Sequence, residues 1–202
     1  MVFHLSIRII LIFKNFLIFS SRASRLTIIL PHGIIIAYET EDKLMQILYM
    51  ILFAGGIVAA DQITKYITVA NIALGQEVPF IPGLLQFTYV RNTGAAFSSF
   101  EGQQWLFALI FLLFTVAILW EFKHNKMSFL PFERWCIVAI YGGGLGNMID
   151  RVRMGYVVDM IETVFMDFPV FNVADCFITC GCILLIAHLI FFNKEFWKEE
   201  KK

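Results

Sequence analysis

Four stretches of this chain are apolar for long enough to cross, or nearly cross, a bilayer, and they leave it few ways to fold in water. They are residues 44–60, 105–120, 135–149 and 173–192, against the roughly 20 residues a membrane-spanning helix needs. The first is broken only by Gln46 before Asp61, and a polar turn or two runs on through Lys65. In the second, Thr115 is the only hydroxyl, and Trp105 and Trp120 stand at its ends as an interfacial belt would. The third carries Gly142, Gly143, Gly144 and Gly146, which let helices approach closely. The last has Asp175 near its start and His188 near its end. An apolar fraction of 59%, 22 Phe and a mean hydropathy of +0.75 agree with this reading. The expected fold is an α-helical integral membrane protein with four transmembrane helices.

The charges lie between the spans and give an orientation. Lys43 precedes the first span, Lys123, Lys126 and Arg134 lie between the second and third, and Lys194, Lys198, Lys201 and Lys202 follow the fourth. The excess of basic residues in cytoplasmic loops puts both termini inside and residues 68–104 and 150–172 outside. Arg91, Arg151 and Arg153 are the outside exceptions, and two of them flank acidic segments, which suggests pairing. The formal net charge is zero, so no basic field argues for nucleic acid.

Within the first outside segment, residues 77–81 and 84–90 read as strands about Pro82-Gly83, a tight-turn pair. A small outside β-sheet between the first two spans is expected. Residues 1–44 fit the plan poorly: residues 2–19 are rich in Ile and Phe, but Arg8 and Lys14 interrupt them. A fifth helix or interfacial anchor, a cleavable targeting segment and an extension upstream of a start at Met45 all compete, and the last is favoured. The domain is then expected over residues 45–197, with a basic cytoplasmic tail at 198–202.

Asp159 and Asp175 each border an apolar run with no obvious cation nearby. An acid at bilayer depth costs a few kcal/mol and usually faces a polar cavity with a task. Taken singly, Asp159 reads as a solvated loop acid and Asp175 as a helix-start acid favoured by the macrodipole. Taken together they suggest a dyad: two carboxylates in a partly dry site cannot both ionise cheaply, so one keeps a proton while the other acts as a base on water. Asn147, Asp150 and Arg151 fall at i, i+3 and i+4 on one helix face, and Asn172 and Asp175 are three apart. The simpler roles are an N-cap for Asn172, an ion pair between Asp150 and Arg151, and a helix-end pair between Asp61 and Lys65. Glu162 and Asp167 read as solvated. There is no zinc or serine-hydrolase motif, and Cys136, Cys176, Cys180 and Cys182 read as free packing thiols.

Five segments in this order carry a resemblance: Asp61-Gln62-Ile63-Thr64-Lys65; Arg91-Asn92-Thr93-Gly94-Ala95-Ala96-Phe97-Ser98; Gly146-Asn147-Met148-Ile149-Asp150-Arg151; Val157-Val158-Asp159; and Phe171-Asn172-Val173-Ala174-Asp175. With them the chain, over residues 45–197, resembles the bacterial lipoprotein signal peptidases (signal peptidase II), intramembrane aspartic peptidases. The resemblance implies a catalytic dyad at Asp159 and Asp175, supported by Asp61, Asn92, Asn147, Asp150, Arg151 and Asn172, without metal or cofactor. It also implies a small outside sheet, a place in the bacterial cytoplasmic membrane with the active site near the outer face, and prolipoprotein substrates cut just before a diacylglyceryl-modified cysteine. Membrane lipids and globomycin-type inhibitors are the other implied partners, nucleic acid is not, and a monomer is expected. A small transporter using the same acids as an ion pathway is the alternative from another class, disfavoured by the absence of an internal repeat. The Gly-x-Gly-Asp motif of presenilin-type proteases is absent.

Overall fold

A computed structural model describes residues 37–94, 100, 102–124, 126–194 and 196, with side chains from Leu44 onward. The expectations for residues 1–36, for the basic tail at 198–202 and for Ala95 to Ser98 of the second motif lie outside these residues. The chain divides into two compact units, Met1–Ile47 and Leu48–Lys202. In the first, the described part is the start of a helix, with Leu44, Met45 and Ile47 exposed. All the site-bearing elements belong to the second.

In chain order the elements are α1 (Ala37–Asn71), β1 (Val78–Ile81), β2 (Leu85–Asn92), α2 (Gln104–His124), α3 (Pro131–Met154), β3 (Val157–Thr163) and α4 (Val173–Phe191). Among the described residues, three helical stretches, Leu44–Asn71, Gln104–His124 and Val173–Phe191, are long and apolar enough to cross a membrane. Their large side chains face outward: α2 buries no residue, and Leu112, Leu113 and Leu119 are all more than half exposed, an arrangement suited to lipid rather than water. The third expected span corresponds to α3. With 24 residues it is long enough, but Glu133, Arg134, Asp150, Arg151 and Arg153 make it less apolar than the other three. The first helix also runs further than expected, past Lys65 to Asn71.

Glycine sets how closely the helices approach α3. A Cβ on Gly143 would come 2.5 Å from the Ala174 carbonyl oxygen of α4, and one on Gly181 would come 2.8 Å from Ile140. A Cβ on Gly142 would come 3.2 Å from the Ala54 carbonyl oxygen of α1. Side chains larger than hydrogen would therefore push α1 and α4 away from α3, the close approach that small residues allow in membranes. Phe111 of α2 stacks on Tyr141 of α3 at 5.2 Å between centroids.

The sheet is antiparallel in the order β1-β2-β3. The sequence reading is corrected here, because the sheet is not made only from the segment between the first two spans. Its third strand comes from residues expected to be loop, after α3. Gly155, in the left-handed conformation at φ 77°, ends α3 and turns the chain straight into β3. Pairing of Asn92 with Val157, Arg91 with Val158 and Val90 with Asp159 fixes the register. Tyr89, Val158 and Met160 form the buried face of the sheet. After β3 the chain folds back, and Phe171 exchanges backbone hydrogen bonds with Ile161 (2.8 and 3.0 Å), which delivers the start of α4 beside β3.

Candidate active site

The fold-back at Phe171 brings two acids from different elements to one place. Asp159 projects from β3, and Asp175 sits in the first turn of α4. Asn172 joins them. Its side-chain amide donates to Asp159 Oδ1 (2.7 Å), its backbone N–H donates to Asp175 Oδ2 (3.1 Å), and its Oδ1 accepts from the Asp175 N–H (2.9 Å). The N-cap reading of Asn172 is thus correct, and the same side chain also holds the other acid. The second oxygen of each acid is held by an amide as well: Asn92 Nδ2 donates to Asp159 Oδ2 at 2.9 Å, and Asn147 Nδ2 donates to Asp175 Oδ1 at 2.8 Å. Asn92 reaches Asp159 because their register partners lie two residues apart on neighbouring strands, hence on one face.

Asp159 is not the solvated loop acid of the simpler reading, since it is a strand residue only 2% exposed. Burial, and next among the raising influences the charge of Asp175, push its pKa up to about 7, even though the amides of Asn92 and Asn172 favour the ionised form. Asp175 is half-buried.

Beneath the pair lies a buried ionic cluster. Lys65 Nζ lies 2.8 Å from Asp61 Oδ2 and 2.9 Å from Asp150 Oδ2, and it donates to Asn147 Oδ1 at 2.9 Å. Asp61 also accepts the Ala174 N–H (3.0 Å), and Asp150 accepts the Val158 N–H (3.1 Å) and Gln62 Nε2 (2.8 Å). Each structural acid therefore clamps the backbone next to one of the paired acids, Asp61 at α4 and Asp150 at β3. The expected Asp61–Lys65 pair exists, but it is buried inside the helix and not at its end. The expected Asp150–Arg151 pair is corrected: Asp150 pairs with Lys65, because the i, i+1 geometry of a helix turns Arg151 to another side.

Arg151 instead donates to the Gly94 carbonyl oxygen (2.9 Å), lies 4.3 Å over the Phe107 ring, and is within electrostatic reach of Asp159 and Asp175. Its Nε is buried and hydrogen-bonds to no acceptor among the described residues. Glu162, expected to be solvated, is half-buried and accepts from Gln86 (2.9 Å). Lys65 and Gln62 were not identified as site residues from sequence. A Lys four residues after an Asp resembles an ordinary surface pair, and the acid that shares it lies far along the chain. No three His, Cys, Asp or Glu side chains among the described residues converge as a metal site would require. Two carboxyl groups held by amides at the edge of an apolar bundle, one of them poised to keep a proton near neutrality, can perform acid–base chemistry on a water.

The model of the signal peptidase (SPase) II family matches residues 53–191. A lipoprotein signal peptidase of Streptococcus pyogenes serotype M2 is 45% identical over 145 residues, which is 71% of this chain and 90% of that protein. The corresponding protein of serotype M5 is 44% identical over the same lengths. Among solved structures, a bacterial membrane enzyme determined by the in meso method at 2.3 Å resolution aligns with a TM-score of 0.67 and 38% identity, over 73% of this chain and 90% of the other. A second, at 1.9 Å, aligns with a TM-score of 0.64 and 38% identity, over 71% and 94%.

Proposed function

The chain belongs to the signal peptidase II family and removes signal peptides from prolipoproteins, and on that premise we propose that Asp159 and Asp175 are its catalytic pair. The observation that carries the assignment is Asn172, which holds both acids at once, one by its side chain and the other by its backbone.

In this reading Asp159, with a pKa near 7, keeps its proton and polarises the scissile carbonyl. Asp175, the more accessible acid, takes a proton from the attacking water. The water oxygen bonds to the carbonyl carbon, giving a tetrahedral diol without a covalent enzyme adduct. As the C–N bond breaks, the proton held by Asp175 passes to the leaving amine and Asp159 recovers its own. Arg151 Nε, a buried donor, suits a carbonyl of the extended substrate backbone. Asn92, Asn147 and Asn172 hold the carboxyl groups in orientation, and Asp61, Asp150 and Lys65 hold the strand and helix that carry them.

The substrate is read as a prolipoprotein whose cysteine already bears diacylglyceryl, cut just before that cysteine. Its lipid tails would stay in hydrocarbon while the peptide bond meets the acids at the interface. α3 is read as a fourth span: at about 1.5 Å per residue its 24 residues suffice, and its charges gather near its ends. Both termini are read as cytoplasmic, the dyad near the outer face, the enzyme as a monomer, and globomycin-type peptides as inhibitors. The test is cleavage of a modified prolipoprotein by the purified protein in detergent, with N-terminal analysis of the product. A product beginning at the lipidated cysteine is expected. Equal cleavage of unmodified precursor would contradict the substrate reading.

A further inference from the structure

The first turn of α2 reaches back to the strand that supports Asp159. Gln104 opens this helix and is half-buried, whereas Trp105 beside it is exposed. Its Nε2 donates to the Thr93 carbonyl oxygen at 2.8 Å, and the Gly102 N–H donates to the same oxygen at 3.2 Å. Thr93 directly follows β2, so α2 is tied to the end of the strand that carries Asn92. One turn along α2, Phe107 supports the Arg151 guanidinium at 4.3 Å, and Arg151 donates to the Gly94 carbonyl oxygen. α2 thus holds both carbonyls of Thr93-Gly94, one directly and one through Arg151.

The far edge of the Thr93–Gly94 peptide bears on the site. A peptide group is planar, so fixing its carbonyl also fixes where its N–H points. That N–H belongs to Gly94 and donates to Asn92 Oδ1 at 2.9 Å. A backbone N–H can only donate, so the atom of Asn92 that meets it must be the oxygen. The other end of the same rigid amide, Nδ2, is then turned to Asp159 Oδ2 at 2.9 Å. From Gln104 through the peptide and Asn92 to the buried acid, every link is a hydrogen bond or a rigid planar group.

We infer that Gln104 is a positioning residue for signal-peptide cleavage: by holding the Thr93–Gly94 peptide it keeps Asn92 in the orientation that donates to Asp159. The inference rests on the reading of Asp159 and Asp175 as the catalytic pair, and in it Gln104 touches no reacting atom. The Asn92 amide favours the ionised form of Asp159, against burial. Loss of the Gln104 tie frees that amide, so Asp159 should keep its proton to higher pH and be held less well for the carbonyl it polarises. Gln104 Oε1 is buried and has no hydrogen-bond partner among the described residues. Replacing the side chain by Met therefore removes an unsatisfied oxygen along with the donor, while the Thr93 carbonyl keeps the Gly102 N–H, so the variant should fold.

The experiment compares the full chain in detergent as wild type, Gln104→Met, Asn92→Ala and the double variant, with Gln104→Leu in place of Gln104→Met if that protein does not fold. kcat and KM are measured across pH on the diacylglyceryl-modified prolipoprotein, and the unfolding midpoint over the same range follows Asp159 without substrate. Gln104→Met should lower kcat about tenfold with KM within about twofold of wild type. It should also move the high-pH fall in kcat/KM and in the unfolding midpoint upward by about half a unit or more. In the Asn92→Ala background the Gln104 change should add no further shift, since a residue that acts through another is fully coupled to it. A raised KM at unchanged kcat would make Gln104 a substrate contact, and wild-type kcat and pH dependence would make it a plain tie between helix and strand; either result overturns the inference. So would equal shifts from Gln104→Met with and without Asn92. Failure of the catalytic pair is read separately, as cleavage by Asp159→Asn, and the unfolding data then still decide whether Gln104 governs the titration of Asp159.

Discussion

Asp159 is where burial and hydrogen bonding oppose each other most directly. Two amides favour its charge, but burial prevails and puts its pKa near 7. A carboxyl group raised in this way contributes stability that is fully present below its ordinary value of 3.8 and is lost as pH rises through about 7. The unfolding midpoint should therefore fall between pH 5 and pH 8, and Asp159→Asn should flatten that fall; a wild-type midpoint constant over this range would contradict it. If Asp159 must hold a proton to act, kcat/KM should fall about tenfold per pH unit above the same point, and a profile flat to pH 9 would remove it from the acid role. Lys65 makes a different prediction. Lys65→Met leaves Asp61 and Asp150 buried without their cation and should cost about 3–5 kcal/mol, measurable as a lowered denaturation midpoint; a change under about 1 kcal/mol would show that the cluster is not structural. The two paired acids were legible in sequence because each stands against an apolar run. Lys65 was not, since its second acid is brought to it only by tertiary packing.

Among the elements, α3 carries the most constraint. Gly143 faces α4 where a methyl group has no room, its Cβ position lying 2.5 Å from the Ala174 carbonyl oxygen, so Gly143→Ala must shift the first turn of α4 that bears Asp175. Overpacking of this kind costs about 1–3 kcal/mol, and here activity should fall further than stability. Equal activity and stability to the unaltered protein would mean the helices yield without moving the acid. The runs behind all four helices were readable from hydropathy, and β1 and β2 from the Pro82-Gly83 turn. β3 was not readable: Val157-Val158-Asp159-Met160-Ile161 lacks the alternation of a half-exposed strand because its first four residues are buried on both faces, and only Gly155 and Tyr156 separate it from α3. Missing β3 also hid how Asp159 meets Asp175, since the meeting depends on Phe171 pairing back to Ile161.

For the whole molecule, the proposed orientation puts the sheet and the aspartates at the outer face and the loop between α2 and α3 at the cytoplasmic one. In intact cells, an impermeant thiol reagent should label Gln76→Cys but reach Lys126→Cys only after permeabilisation; the opposite pattern would invert the topology. The central claim is that Asp159 and Asp175 act as one unit, and a single comparison tests it most directly. Purified wild type, Asp159→Asn and Asp175→Asn would each be given the same diacylglyceryl-modified prolipoprotein, with folding checked by thermal unfolding. The predicted result is cleavage by wild type and a loss of at least about a hundredfold in each folded variant. Cleavage by either folded variant within a few-fold of wild type would contradict the dyad.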